Sequence, residues 1–176
     1  MCKNCKDILS QFTLGKRVVD NLNVYYFYNY SDIKHLLLSK HHLHGLFIYK
    51  ALANLSFKKF AKEQNLGSEI LAVPIDDAVN FGYSHTAILA RSLKNNFIRP
   101  SYNTLKATSK VSYSGKSLTY RQKHKRNFKL TKKIDKPIIL VDDIITTGTT
   151  LSQAYSVCKK SGINTLFALV LADARE

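Results

Sequence analysis

The chain has 176 residues, 45% of them hydrophobic, which is enough for one domain with its own apolar core. Lys and Arg exceed Asp and Glu by 27 to 12, and the formal net charge of +15 favours polyanionic partners such as nucleic acid. Three unevenly spaced cysteines and short apolar runs argue against a secreted disulfide scaffold and against a transmembrane segment, and favour a cytoplasmic protein.

Strand and helix patterns alternate along the chain. The predictions in chain order are a strand at Val24–Tyr30, a helix from Leu43 to Gln64, a strand at Glu69–Ile75, a helix at Ser84–Leu93 capped by Ser84, a strand at Pro137–Asp143, a helix at Thr149–Ser161 ending at Gly162, and a last strand at Asn164–Ala172. Strands that are apolar on both faces and alternate with helices predict an α/β fold, with a parallel sheet covered by helices on both faces.

A short N-terminal appendage precedes this pattern. Cys2 and Cys5 form C-x-x-C, which is half of a four-ligand Zn²⁺ site. Either the site has decayed or an upstream cysteine pair precedes the given start, and we favour the second explanation. We therefore predict a remnant of a zinc module over residues 1–20 and the main domain over residues 21–176.

The predicted strand at residues 138–141 runs into two adjacent carboxylates, Asp142 and Asp143, and then into a loop rich in threonine. Ligands of parallel sheets bind beyond the carboxyl ends of the strands, and helix N-termini bind phosphate. Carboxylates accept hydrogen bonds from sugar diols and help to hold hydrated Mg²⁺. We therefore expect a sugar phosphate bound by the two aspartates and by the loop residues Ile144, Ile145, Thr146, Thr147, Gly148, Thr149 and Thr150.

Other phosphate-binding and acidic motifs fit this stretch less well. A P-loop needs G-x-x-x-x-G-K-[ST] and a Rossmann turn needs G-x-G-x-x-G, and neither pattern is present. A response-regulator receiver also has paired aspartates after a strand, but only 33 residues follow Asp143, too few for the rest of that fold. A plain helix cap needs one Ser, Thr or Asp rather than this many polar side chains.

The stretch ILVDDIITTGTTL, residues 139–151, resembles the 5-phosphoribosyl 1-diphosphate (PRPP) signature of type I phosphoribosyltransferases. With the C-x-x-C pair, YYFYNY, LLLSK, a strand ending in VP, and RNF, almost the whole chain resembles the ComF competence proteins of naturally transformable bacteria. The resemblance implies a phosphoribosyltransferase-like fold, PRPP bound with Mg²⁺, and catalytic and water-mediated metal-binding roles for Asp142 and Asp143. It also implies inner-membrane DNA-uptake proteins as partners and a peripheral place at that membrane.

The loop after the predicted strand at Glu69–Ile75 departs from the family pattern. Asp76 and Asp77 replace basic residues where the family's loop faces pyrophosphate, which argues against efficient turnover and leaves open whether the chain is an enzyme. His85 has a general-acid or ligand interpretation, although a histidine at a helix start is more often structural.

A cationic segment, residues 106–136, carries eleven Lys or Arg residues against one acidic residue, Asp135. Aromatic residues are interleaved with these cations, a composition that suits single-stranded nucleic acid, because bases stack on rings while cations follow phosphates. An ordinary solvated lysine-rich hairpin is the other interpretation. The predicted nucleic-acid contacts are Lys116, Tyr120, Arg121, Lys125 and Arg126.

Three functions compete. The favoured hypothesis is a ComF-type protein that binds PRPP with Mg²⁺ and single-stranded DNA during DNA uptake in natural transformation. The second is a metabolic phosphoribosyltransferase that transfers ribose 5-phosphate from PRPP to a nucleobase or another acceptor. The third is an RNA-binding regulator that uses the same fold as a nucleotide sensor.

Overall fold

The computed structural model describes residues 3–64, 67–76, 78–79, 81–109 and 126–175. The strands are β1 (Gly15–Val19), β2 (Leu22–Asn29), β3 (Ile70–Pro74), β4 (Ile98–Pro100), β5 (Leu105–Ala107), β6 (Phe128–Leu130), β7 (Ile138–Ile145) and β8 (Thr165–Asp173). The helices are α1 (Lys3–Ser10), α2 (Tyr30–Leu37), a 3₁₀ helix (Leu38–His41), α3 (Gly45–Leu55), α4 (Phe57–Glu63), α5 (His85–Ser92) and α6 (Thr149–Lys160).

The central sheet is mostly parallel and has the strand order β1-β2-β8-β7-β3-β4. Strands β2, β8, β7, β3 and β4 run parallel to one another, whereas β1 joins the edge as the antiparallel arm of a hairpin with β2. The fold is thus mixed α/β, as predicted, and β7 lies in its interior. The phosphoribosyltransferase-specific form of this architecture stays a prediction.

Both faces of β7 are buried, and each faces a different core. Ile139 and Val141 belong to the core that includes apolar residues of α2 to α5. Ile138 and Leu140 belong to the core that includes residues of α6 and of the β5–β6 ribbon. This alternation follows from the two-residue period of a strand, and it sends successive residues of β7 toward different helices.

The single helix predicted from Leu43 to Gln64 is wrong, because the chain forms two helices that meet at Ser56. The backbone of Ser56 leaves helical geometry at φ −112° and ψ −77°. Its buried hydroxyl donates to the carbonyl of Leu52, 2.7 Å away, a type of bond that competes with the helix's own pattern. The break lets both short helices bury their apolar faces against the sheet.

The other predicted elements are confirmed with small shifts at their ends. The Ser84 hydroxyl accepts from the backbone N–H of Ala87 and so caps α5, and Gly162 takes the left-handed φ of +70° just beyond α6. Strand β7 extends two residues beyond Asp143. The sequence reasoning missed α1, α2, β1 and the three-residue strands β4, β5 and β6.

The predicted boundary after residue 20 falls in the turn between β1 and β2, where Asp20 and Asn21 both have positive φ. Strand β1 pairs with β2 along its whole length, from Gly15 with Tyr26 to Val19 with Leu22. Strand β1 is therefore part of the central sheet, and the division into residues 1–20 and 21–176 stays a prediction.

Candidate functional site

The loop between β7 and α6 surrounds a small open cavity. This cavity is lined by Asp142 together with the run from Ile144 to Leu151. Gly148 precedes the helix with φ +81°, a value that glycine adopts without strain. The hydroxyls of Thr147 and Thr149 lie 2.8 Å apart, within hydrogen-bond distance of each other. A helix N-terminus with neighbouring hydroxyls suits an anion such as phosphate.

The β1–β2 hairpin holds this loop from one side. The Arg17 guanidinium donates to the carbonyl oxygen of Thr146 at 2.6 Å and pairs with Asp173 at 3.0 Å. A Cβ at Gly148 would lie 2.9 Å from a methyl group of Val19, so a larger residue there would push against β1. Asp20 accepts a hydrogen bond from Ser152 in α6. The loop is thereby fixed to the β1–β2 hairpin at the edge of the sheet. The sequence of the loop does not reveal this constraint.

Asp142 and Asp143 lie on opposite faces of β7, because successive side chains of a strand alternate. Asp142 lines the loop cavity. Asp143 faces the helices of the other side, where Lys40, Tyr49 and His85 surround it. The expectation that both carboxylates serve one ligand stays a prediction, but the two have different neighbours.

Asp143 is enclosed by donors. Its Oδ2 receives the Lys40 ammonium at 2.8 Å and the Tyr49 hydroxyl at 3.2 Å, while His85 Nε2 lies 3.5 Å away. Its Oδ1 accepts from the backbone N–H of Ile144 at 2.9 Å. Burial alone would raise the pKa of Asp143, but the charges of Lys40 and His85 and the hydrogen bonds to the carboxylate together outweigh burial, and the pKa is lowered. Asp143 is therefore a charged, already partnered group.

The pKa values of Lys40, Tyr49 and His85 are also shifted by burial and by the Asp143 charge. Burial, followed by the Asp143 charge, raises the pKa of Tyr49, so Tyr49 stays a donor. Burial would lower the pKa of Lys40, but the Asp143 carboxylate reverses the shift and raises it. Burial lowers the pKa of His85 despite the nearby carboxylate, which favours the neutral imidazole.

Asp142 favours its protonated form, whereas Asp143 favours its ionised form. Burial and then the adjacent Asp143 charge raise its pKa well above the ordinary carboxyl value. Its Oδ1 accepts from the backbone N–H of Asp143 at 2.8 Å. A buried carboxyl that tends to hold its proton can donate a hydrogen bond to a ligand hydroxyl as well as accept one.

All seven predicted phosphate-loop residues, 144–150, line this cavity, although not all by their side chains. Ile145 is buried in the apolar core and Ile144 packs against the other core, so these two offer the cavity only backbone groups. Thr146 and Thr147 are exposed, and Thr149 and Thr150 open α6.

Of the predicted nucleic-acid contacts, Arg126 is described, and Lys116, Tyr120, Arg121 and Lys125 lie outside the described residues. Arg126 forms a 2.6 Å ion pair with Asp76, whose φ of +51° places it in a tight turn after β3. Asp77 also lies outside the described residues. Asp76 is therefore a partner of the cationic segment.

The structure adds three site residues that sequence reasoning missed or left as structural. Lys40 and Tyr49 were not predicted as partners of Asp143, and His85 was favoured as a structural residue. Lys40 precedes Asp143 by 103 positions, and no local pattern links them. Two carboxylates side by side in an apolar strand were the available signal, because a buried charge needs a counter-ion.

The described side chains do not fit a bound divalent metal well. Within the described ranges, no three His, Cys, Asp or Glu residues converge on a point where they could hold a metal ion. Asp143 already binds Lys40, and Asp142 favours its protonated form, whereas Mg²⁺ selects ionised oxygen ligands. For zinc, Cys5 lies on exposed α1 and Cys2 lies outside the described residues. Zn²⁺ binding by this pair stays a prediction.

Comparison with known proteins gave a partial match. No family model matches the chain. The transcriptional regulator GfcR of Methanosphaera stadtmanae is 46% identical over 41 residues, which is 23% of this chain and 21% of the regulator. The match thus spans about a fifth of each protein.

This match overturns the family and function predicted from the resemblance. The assignment to ComF competence proteins and phosphoribosyltransferases is wrong, and so are DNA uptake in natural transformation and the metabolic phosphoribosyltransferase alternative, because the matched protein is a transcriptional regulator. The physical reason is that paired aspartates before a Thr/Gly loop specify a binding turn at a strand end. They specify neither a reaction nor a partner.

The described helices were also compared with the length of a bilayer. Among residues 3–64, 67–76, 78–79, 81–109 and 126–175, no helix is long and apolar enough to cross a membrane. The peripheral inner-membrane location and the DNA-uptake partners depended on the overturned family and have no support.

Proposed function

We propose that this chain is a ligand-binding regulatory domain that controls nucleic-acid binding in response to a phosphorylated sugar. The proposed ligand class includes ribose 5-phosphate and PRPP, with the phosphate at residues 144–150 and a sugar hydroxyl at Asp142. The observation that carries the proposal is that Asp142 and the Thr/Gly loop line the same cavity. A regulator among the similar proteins supports a regulatory role.

The chemistry of the cavity supports a ligand that is both anionic and hydroxylated. Backbone N–H groups at the start of α6 and the threonine hydroxyls favour an anion. The raised pKa of Asp142 limits the repulsion that an ionised carboxylate would exert on that anion, since burial and the charge of Asp143 favour its neutral form. A neutral carboxyl suits a sugar hydroxyl, which both donates and accepts.

Calorimetry with ribose 5-phosphate, PRPP, ribose and inorganic phosphate tests the ligand half of the proposal. We expect both phosphorylated sugars to bind more tightly than either ribose or phosphate alone. Thr149→Ala should weaken binding by about tenfold, the effect of one hydrogen bond to a charged group. Ser161→Ala, an exposed hydroxyl at the far end of α6, is the matched control and should leave affinity unchanged. Equal losses in both variants would contradict the assignment.

The nucleic-acid half of the proposal is supported by charge. The chain carries +15 overall, and the β5–β6 ribbon presents exposed Lys106 and Lys129 as a cross-strand pair. Exposed Lys133 follows this ribbon. Cations that neutralise phosphates make binding fall as salt rises. The cytoplasmic location predicted from the sequence stays a prediction.

Fluorescence anisotropy with duplex DNA, single-stranded DNA and a structured RNA tests this half. We expect salt-dependent DNA binding that changes when ribose 5-phosphate is added. Lys106→Ala with Lys129→Ala should reduce the salt slope by about two, one for each lost phosphate contact. Lys58→Ala with Lys62→Ala, an equal charge change on α4, should leave the slope unchanged. A clear preference for structured RNA would favour the RNA-binding regulator instead.

A further inference from the structure

The pair formed by Lys40 and Asp143 bears on how the site treats cations. Lys40 lies on the 3₁₀ helix between α2 and α3, and its ammonium is 2.8 Å from Asp143 Oδ2. The side chains are largely buried, at 22% and 8% relative exposure. A charge-assisted hydrogen bond of this length at a buried position is strong and well defined.

The other positions around the Asp143 carboxylate are also taken. The Tyr49 hydroxyl shares Oδ2 with Lys40, and the Ile144 N–H occupies Oδ1. A carboxylate offers about four lone-pair positions, so three donors leave little room for another ligand. His85, 3.5 Å away, covers part of the remaining side.

A divalent cation at this carboxylate would have to displace the Lys40 ammonium or lie beside it. Displacement would leave the Lys40 ammonium, whose side chain is largely buried, without its carboxylate partner, and this is costly. Coexistence would bring two positive centres close together at a site of low dielectric, where their repulsion is large. Both routes are unfavourable.

We propose that Lys40 is the built-in counter-ion of Asp143, and that this carboxylate therefore binds no divalent metal when the phosphorylated ligand occupies the cavity at Asp142. The proposal replaces the expected Mg²⁺ at Asp143 with a fixed ammonium from the protein. It rests on the proposed function for the ligand, but the exclusion of metal is a property of the chain alone.

Manganese binding, followed by the electron paramagnetic resonance of free Mn²⁺, tests the exclusion without any sugar phosphate. We expect the wild-type chain to leave Mn²⁺ free at millimolar concentration. Lys40→Met should create a site that binds Mn²⁺ at least about tenfold more tightly, since a buried carboxylate then lacks a cation. Adding Asp143→Asn to that variant should abolish the site.

Lys40→Arg is the matched control, because it keeps the positive charge and should still exclude Mn²⁺. If the methionine variant does not fold, as judged by circular dichroism, Lys40→Arg and Asp143→Asn still test the proposal. Both variants should then leave Mn²⁺ free, as the wild type does. Stoichiometric Mn²⁺ binding by the wild type that Asp143→Asn abolishes would overturn the proposal.

Ribose 5-phosphate binding with EDTA and with Mg²⁺ then separates this inference from the proposed function. Equal affinity within about twofold supports both, whereas an increase of about tenfold or more with Mg²⁺ that Asp143→Asn removes overturns the exclusion of metal from Asp143. If the sugar phosphate does not bind under either condition, the proposed function fails, while exclusion of Mn²⁺ by the wild type still supports the counter-ion role of Lys40.

Discussion

Asp142 and Asp143 are chemically identical neighbours, yet β7 presents them to two different regions of the molecule. The Asp142 face opens onto the cavity of the Thr/Gly loop, whereas the Asp143 face is closed by Lys40, Tyr49 and His85. The open face favours a protonated carboxyl and the closed face an ionised one. Partners and burial, rather than residue type, decide what each carboxylate can do.

The closed face should tolerate loss of its charge much less than the open face. Asp143→Asn leaves the Lys40 ammonium without its anion and should lower the free energy of unfolding by about 3 kcal/mol. Asp142→Asn should cost less than about 1 kcal/mol, because the amide has the shape of the protonated acid. Urea denaturation of both variants measures the difference.

Adding Lys40→Met to Asp143→Asn should recover most of the lost stability, since neither charge then remains unpaired. Equal costs for the two aspartate variants would remove the distinction between the faces.

On the open face, substitution of Gly148 should lower the free energy of unfolding the most. Gly148→Ala forces an L side chain to φ +81° and brings its Cβ to 2.9 Å from Val19. We expect a loss of about 2 kcal/mol in the free energy of unfolding, from backbone strain and overpacking together. Weaker sugar-phosphate binding in calorimetry should accompany it, because the loop must move.

Gly162→Ala is the matched control, because it has φ +70° but open space around the new methyl group. It should cost about 1 kcal/mol, the strain alone. Val19→Ala in the Gly148→Ala background should restore part of the stability. The role assigned to β1 fails if this second change has no effect.

Removing one neutral donor should have a smaller effect on the closed face. Tyr49→Phe deletes the hydroxyl bond to Asp143 and should lower the free energy of unfolding by about 1.5 kcal/mol, as for a bond to a charged acceptor. Tyr83→Phe deletes a longer bond, 3.4 Å, to the carbonyl of His42 and should cost about 0.5 kcal/mol. Thermal and urea unfolding of the pair check the order, and a reversed order would contradict it.

The two carboxyls should contribute to pH dependence with opposite signs. The lowered pKa of Asp143 stabilises the fold above the ordinary carboxyl pKa near 4, and that stability is lost as the pH falls below it. The raised pKa of Asp142 stabilises the fold below that value, and the contribution is lost as the pH rises toward the folded-state pKa.

Urea denaturation from pH 3 to pH 7 measures both effects, which we expect to be about 0.5 to 1 kcal/mol across each window. Asp143→Asn should flatten the acid side of the profile, and Asp142→Asn should reduce the decline above pH 4. Parallel profiles for both variants would show that the two carboxyls titrate alike.

Local pattern was sufficient for much of the fold and for one half of the site. The apolar run of β7, the Ser84 cap of α5 and the stop at Gly162 were readable because each depends on residues a few positions apart. The Thr/Gly loop was readable for the same reason. The helix break at Ser56 was missed, because the packing of both halves outweighed the continuous helical pattern.

The surroundings of the paired aspartates depended on contacts between distant parts of the chain. The side-chain alternation of β7 sends Asp142 and Asp143 apart, and only the packed helices bring Lys40 and Tyr49 to Asp143, across 103 and 94 positions. The β1 hairpin likewise meets the loop through Arg17, 129 positions from Thr146. Residue order alone could therefore locate a candidate phosphate-binding turn, whereas burial and long-range charge pairing decided the surroundings of each carboxylate.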